Sequence, residues 1–366
     1  MSADAVPIFS GPDGRAEDFW VPGFELRDRG QKLPVTVARD VSQLAYKDDL
    51  EKIDQVDLTL SNWDDEAYTF SWSERDRFLP GKELEIWLGY LGPDRLRRVI
   101  SAEITSFKPS FPASGQPSIV VSGLNVLHRL RRTKHTQIFE NKTPTQIAER
   151  IGRQMNVKLI TQPKGEEPYD YLMQDGYDIN FLLQLARTSG YEIYVDEGRS
   201  TKDRPAVFFG STDEVRKITY KLRYGATLID FQPTITTTRQ VASVTVRSWD
   251  RTKKKPISVT YSRKQLNLGP IDTDVESAFN ERVEVVTAVV ANEAEARRMA
   301  RDRLRDIAHD TVTASGSTVG LPDLRAGSTI EVDGVGKRFS GKYFVTSTTH
   351  TLGSAGYTTS FNARRQ

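Results

Sequence analysis

Between Tyr177 and Asp196 the chain reads YDINFLLQLARTSGYEIYVD, and its hydrophobic period changes halfway through. Phe181, Leu182, Leu185 and Ala186 recur at three- and four-residue spacing, which lays one apolar stripe along a helix. Asp178 stands where an N-cap side chain accepts a hydrogen bond from a first-turn N–H. Gly190 stands where a left-handed stop belongs. Tyr191, Ile193 and Val195 then alternate with Glu192, Tyr194 and Asp196, the period of a half-buried strand. The spacing therefore predicts a capped helix running straight into a strand, a rigid wedge that carries no catalytic group.

The rest of the chain divides around this wedge. Residues 1 to about 19 hold Pro7, Gly11, Pro12 and Gly14 and few apolar side chains, so they read as a loose arm. From Trp20 to about Asn125 the texture is β: Val56, Leu58 and Leu60 alternate with polar residues, as do Leu84, Ile86 and Leu88 after a Pro80-Gly81 turn. Thr143, Pro144 and Gln146 then open a helix with a capping threonine, a proline at the first helical position and a glutamine reaching back. Ile147, Ile151 and Met155 give it a buried stripe, and Val157 to Ile160 is a brief strand. From Ile218 the pattern returns to β. Asn292 with Glu295 opens one more helix, with Ala296, Ala300, Leu304 and Ile307 on its buried face. Strands resume from Val312. The expected fold is α+β and mainly β: two small β-barrel modules with an α/β insert between them. The expected divisions are residues 1–125, 126–215 and 216–366, the last with an inserted helix at about 292–309. No repeat of fixed period is visible.

With 366 residues the chain can build two or three cores. Lys plus Arg number 51 against 49 Asp plus Glu, so a net charge of +2 gives no drive toward nucleic acid or anionic membrane. The absence of cysteine removes disulfides, thiolate nucleophiles and Cys-based zinc sites together. The first residues lack the basic start and apolar run of a signal peptide, and no stretch reaches the roughly 20 apolar residues of a spanning helix. These features suit a protein made in the cytoplasm that inserts into no membrane by itself.

His128, His135, His309 and His350 are scattered without metal-ligand spacing. His350, in Thr348-Thr349-His350-Thr351, reads as a hydrogen-bonded structural histidine. Gly334-Val335-Gly336-Lys337 lacks the first glycine and the final Ser or Thr of a phosphate loop, and reads as a hairpin turn. The acidic runs Asp48-Asp49, Asp64-Asp65-Glu66 and Glu166-Glu167 read as solvated surface. Arg129, Arg131, Arg132 and Lys134 form one basic cluster. Arg297, Arg298, Arg301, Arg303 and Arg305 form another, and its interleaved acids Glu295, Asp302 and Asp306 suggest charge pairing within the helix. Trp20, Trp63, Trp72, Trp87 and Trp249 read as core or interface anchors. The expected catalytic, metal and cofactor-binding residues are therefore none.

Four stretches in this order resemble the late-control D family, the baseplate hubs of contractile phage tails and phage-tail-like injection systems, related to the hub part of type VI secretion spike proteins. They are Gly81 to Tyr90, the Thr143-Pro144 helix with Val157, the Asp178-to-Gly190 wedge, and Gly341-Lys342-Tyr343-Phe344-Val345 through His350 to Gly356-Tyr357-Thr358-Thr359-Ser360-Phe361. The resemblance implies a non-enzymatic homotrimer of two-barrel subunits that adapts a hexameric inner tube to a trimeric spike. It implies as partners a spike protein, an inner-tube or tube-initiator protein, and wedge or tape-measure proteins. It also implies a life in the cytoplasm during assembly and then in the tail baseplate of the particle. No spike domain or β-helical repeat precedes Gln366, so the spike is expected on a separate polypeptide. Two other classes fit the same residues: a tail-associated peptidoglycan hydrolase and a glycan- or cargo-binding β-protein.

Overall fold

The computed structural model describes residues 21–91, 96–131, 134–154, 156–201, 204–211, 219–250, 253–266, 273–290 and 292–365. The expected N-terminal arm, Trp20, Arg132, Met155 and the return to β at Ile218 lie outside them.

The chain opens with β1 (Pro22–Asp28), β2 (Gln31–Lys32), a short helix α1 (Val35–Asp40), β3 (Val41–Asp49) and β4 (Gln55–Ser61). A small hairpin, β5 (Trp63–Asp64) with β6 (Thr69–Phe70), precedes β7 (Glu83–Tyr90), β8 (Leu96–Ser110) and β9 (Ser118–Leu124). Strands β4 and β9 bury every second residue, as their alternating sequences require. Leu44, Leu58, Ile86, Ile100 and Ile119 fill the core between them.

The α/β insert follows: β10 (Lys134–Lys142), α2 (Pro144–Gln154), β11 (Lys158–Gln162), β12 (Tyr169–Tyr177), α3 (Asp178–Ser189), β13 (Glu192–Val195) and β14 (Ala206–Gly210). The two helices have their own core, with Ile147, Ile151, Leu182 and Leu185 against Val207 and Phe209. Thr143 and Gln146 cap α2 reciprocally, at 3.3 and 3.2 Å. The wedge forms as the spacing predicts, with Gly190 in the left-handed region at φ 66°. Its N-cap is Tyr177, however, and Asp178 does not cap. The Asp178 carboxylate instead accepts hydrogen bonds from His135 and Gln174 of the adjoining sheet, which hold the helix to the strands.

The second β region contains β15 (Thr219–Arg223), β16 (Leu228–Ile235), β17 (Ser243–Asp250), β18 (Lys255–Ser262), a one-turn helix α4 (Thr273–Ser277), β19 (Val283–Thr287) and α5 (Glu293–His309). It ends with β20 (Val312–Val319), β21 (Thr329–Asp333), β22 (Gly341–Gly353) and β23 (Gly356–Arg365). Helix α5 does not lie alone on the second module. It packs on a separate sheet, β18–β17–β19, through Ala296, Ala300 and Leu304 against Val244 and Val246. Asn292 caps it by accepting the Glu295 N–H at 2.9 Å. Asn292→Ala is expected to cost about 1 kcal/mol, readable as a small drop in the denaturant midpoint with unchanged slope.

One strand order is used twice. With the two-residue β2 set aside and the remaining strands of the sheet taken by order of appearance, the first module runs first, fourth, fifth, sixth, third, second: β1–β7–β8–β9–β4–β3. The second runs β15–β21–β22–β23–β20–β16, the same permutation. The one reversal is that β1 meets β7 antiparallel and β15 meets β21 parallel. Two of the bulges coincide. Strand β8 shifts register between Ile104 and Ser106 and β22 between Val345 and Ser347. Strand β3 shifts between Val41 and Gln43 and β16 between Leu228 and Asp230. Alignment on these bulges sets Ile104-Thr105-Ser106 on Val345-Thr346-Ser347. It also matches their partners: Ile104 exchanges bonds with Lys82 and Gly81 at 2.8 Å, and Val345 with Ser328 and Gly327 at 2.9 and 2.8 Å.

The modules do not close into the two expected barrels among the described residues. Strand β3 pairs instead with the C-terminal half of β22, from Leu44 opposite Leu352 to Asp49 opposite Ser347. The two modules thus merge into one thirteen-stranded sheet. The reason lies in strand length: β21 covers β22 only to Val345, and the remaining edge is free to take β3.

Candidate functional site: the seam between the two modules

The β3–β22 seam gathers a cluster of deeply buried polar side chains. On β3, Tyr46 and Asp48 point inward; on β22, Thr348 and His350 do so, and all four are essentially inaccessible to water. Across them, from the turn before β21, reaches Arg325. Its Nε donates to the Asp48 carboxylate at 2.8 Å, and its Nη2 donates to the Tyr46 hydroxyl and, at 3.1 Å, to the carbonyl of Val99 in β8. The Ala326 N–H donates to the same Asp48 oxygen at 3.0 Å. Burial works against the Arg325 charge, but Tyr46, Asp48 and Asp54 outweigh it and hold its pKa above the usual arginine value. Asp48 is therefore a buried structural anion, not the solvated acid its run suggests.

His350 sits beside this pair, stacked on Tyr46 with ring centroids 5.7 Å apart. The Leu324 carbonyl can only accept, so Nε2 carries the hydrogen and donates to it at 3.0 Å. Nδ1 then accepts from Tyr357 at 2.9 Å and Thr359 at 3.1 Å. Burial first, and the Arg325 charge second, lower its pKa from 6.5 to about 3. A neutral imidazole walled off from solvent with both nitrogens engaged is a structural element, as its sequence context suggests. The hydrophobic cores also cross the seam: Leu352 and Tyr357 belong to the second module but pack in the core of the first. Tyr90 of β7 donates to the Gly320 carbonyl at 2.6 Å, and a Cβ on Gly320 would lie 2.0 Å from the Tyr357 ring.

A second lock fixes the insert. Glu197 is buried and accepts from the Ser101 N–H at 2.9 Å and its hydroxyl at 3.0 Å, while Arg98 pairs with it at 3.3 Å. Arg98 also donates to the carbonyls of Glu197 and Ser200. Burial raises the Glu197 pKa, with the Ser101 bond and Arg98 opposing. A third network, Arg263 with Gln240 and Thr311, ties the C-terminus of α5 to β20 through 2.6–2.8 Å bonds.

A cleft of about 1200 Å³ opens between α3, α5 and the second module. Its charges are spanned by pairs: Arg187 of α3 bridges Asp306 of α5 at 3.3 Å and Glu51 at 3.5 Å. The arginines of α5 pair both within the helix, Arg301 with Asp302 at 2.9 Å, and with other elements. Arg303 reaches Glu284 of β19 at 2.8 Å, and Arg298 reaches Glu167 at 3.9 Å. The sequence placed His135 and Asp178 far apart, yet the fold joins them at 2.9 Å, on the flank of the insert with Gln174 beside them. Arg129 of the first basic cluster pairs with Glu83 and Glu103. Of the tryptophans, Trp72 is buried with its Nε1 on Asp40 at 3.0 Å, whereas Trp249 is exposed. Gly334 to Lys337 lie in the turn between β21 and β22. Among the described residues no three His, Asp or Glu side chains converge as metal ligands, and no helix is long and apolar enough to cross a membrane.

The model of the family described as Alg8 N-terminal domain matches residues 22–354, nearly the whole of this sheet and its inserts. The chain belongs to that family. No curated protein matches it by sequence. Among solved structures, the 43 kDa tail protein of prophage MuSo2 from Shewanella oneidensis superposes with a TM-score of 0.68 at 15% identity, over 94% of this chain and 98% of that one. A tail protein from Neisseria meningitidis MC58 gives 0.69 at 12% identity, over 95% and 97%. The E. coli c3393 protein, a component of the type VI secretion system, gives 0.59 at 14% identity, over 93% and 77%. At these identities the shared property is the fold, and it is a fold of phage tail and secretion-system proteins.

Proposed function

We propose that this chain is a structural, non-enzymatic baseplate hub of a contractile tail or contractile injection system. Three copies assemble around one axis and adapt a hexameric inner tube to a trimeric spike. The observation that carries this reading is the doubled strand order: each chain contributes two modules of one strand order, so three chains offer six similar units to a six-fold neighbour. The buried Arg325–Asp48 and Arg98–Glu197 pairs support it, because an adaptor under load needs its modules fixed in one relative orientation. The division into residues 1–125, 126–215 and 216–366 belongs to the same reading, with the insert and the α5 sheet standing outside the ring. A separate spike protein, an inner-tube or tube-initiator protein, and wedge or tape-measure proteins are its partners. The chain is assembled in the cytoplasm and then resides in the particle. The likeness to proteins titled as tail components and as a secretion-system component favours this class over a hydrolase. Sedimentation equilibrium tests it: the purified chain should sediment at three times the 41.3 kDa of one copy, and a chain that stays monomeric at every concentration overturns the reading.

A further inference from the structure

The doubled topology leaves one seam unmade. Within the chain, the second strand of module one (β3) pairs with the fifth strand of module two (β22) beyond its bulge. The counterpart would join the second strand of module two, β16, to the fifth strand of module one, β8, beyond its own bulge. Both edges are open among the described residues. Strand β7 accompanies β8 only to Ile104, and residues 106–110 pair on the β9 side alone. Strand β16 pairs with β20 and ends the sheet. One chain cannot satisfy both seams with itself, since its β3–β22 seam already sets the two modules side by side.

We infer that β16 of one subunit adds to the free half of β8 on the next, repeating between chains the seam that β3 and β22 make within one. This rests on the trimeric reading above and names the surface through which it forms. Transferring the internal register gives the contacts. Thr348 opposite Asp48 becomes Phe107 opposite Ile235; His350 opposite Tyr46 becomes Pro109 opposite Pro233; Leu352 opposite Leu44 becomes Phe111 opposite Phe231.

The substitution pattern fits a seam between copies. Leu44, Tyr46 and His350 are 0% exposed at the internal seam, while Phe111 at the open edge is 57% exposed and Phe107, Phe231 and Ile235 are half-buried. Every inward position of the open pair is apolar, where the internal seam holds polar side chains locked by Arg325. An apolar strip along two complementary strand edges is what a second copy of the chain would cover. The two prolines add selectivity. A proline is tolerated in a paired strand where its missing N–H faces the open side, and it makes that edge a poor template for unrelated strands. Facing each other, Pro109 and Pro233 make no hydrogen bond at that rung and leave two carbonyls without a strand donor, so the pairing rests on the rungs to either side.

The chain has no cysteine, so a pair can be introduced cleanly. Lys108 and Thr234 are exposed and correspond to Thr349 and Lys47, which stand directly opposite in the internal seam. Directly opposed Cβ atoms lie about 4.5–5.5 Å apart, near disulfide reach. A Lys108→Cys/Thr234→Cys variant, mildly oxidised, should run as a covalent trimer on a non-reducing gel. Thr349→Cys/Lys47→Cys should give an internal bridge and a covalent monomer, which reports that the register is native. Sedimentation of the unmodified chain is read alongside. A trimer in solution that the first pair fails to cross-link overturns this seam and leaves the hub reading standing. A monomer that neither sediments as a trimer nor cross-links overturns both.

Discussion

Arg325→Met lowers stability by about 3–5 kcal/mol, because it removes one partner of a buried ion pair and leaves the other charged in place. The Asp48 side chain is 3% exposed and receives the Arg325 Nε at 2.8 Å. Without the guanidinium the carboxylate keeps the Ala326 N–H at 3.0 Å but loses the charge-assisted bond from Arg325. Methionine nearly matches the arginine stem in length, so lost volume is a small part of the cost. Urea denaturation of the variant should show the midpoint shift directly. The double variant Arg325→Met/Asp48→Asn, which removes both charges, should recover most of the loss. A single-variant cost below about 1 kcal/mol would mean that water reaches Asp48 and that the pair does not weld the modules.

The position of that pair explains why it escapes a reading of the sequence. Asp48 and Arg325 are 277 residues apart, and nothing in the local pattern around Asp48-Asp49 distinguishes a buried acid from a solvated one. Local features were legible: the Thr143 capping box, the Asn292 cap and the Gly190 stop all follow from short-range hydrogen bonding. Asp178 shows where local logic loses. Its carboxylate could cap α3, but His135 and Gln174 from neighbouring strands offer stronger fixed donors. The arginines of α5 show the same limit in part: Arg301 takes Asp302 of its own helix, while tertiary packing supplies Glu284 to Arg303 and Glu167 to Arg298.

The duplication was also invisible as a repeat, for a physical reason. Connections between sheet strands tolerate long insertions at small entropic cost. The link between the third and second strands is a short loop in module one (β3 to β4), but in module two it carries β17–β19 and α5. A fixed period cannot survive that. What survives is the pairing register, down to two bulges and the match of Ile104-Thr105-Ser106 with Val345-Thr346-Ser347. Pleat and bulge geometry are constrained by the fold, whereas side chains need only stay apolar on one face.

The same seam makes the molecule sensitive to acid in a way that one residue can isolate. His350 titrates near 6.5 when unfolded and near 3 when folded. Above pH 6.5 the ring is neutral in both states and its contribution to stability is complete. As pH falls below 6.5 the unfolded chain takes up a proton that the folded chain refuses until about pH 3, so stability drops by about 1.4 kcal/mol per unit across that window. At pH 4.5 this amounts to about 3 kcal/mol from His350. His309, lowered to about 4 by burial and by Arg364, Arg305 and Arg263, adds a smaller effect of the same sign. Replacing His350 by Gln keeps an acceptor toward Tyr357 and a donor toward Leu324 but cannot take a proton. The variant is expected to be less stable than the parent at pH 7.5, yet to lose about 3 kcal/mol less between pH 7.5 and 4.5 in urea titrations. Parallel pH profiles for the two proteins would show that His350 is already solvated in the folded state, and the dry seam between the modules would then have to be abandoned.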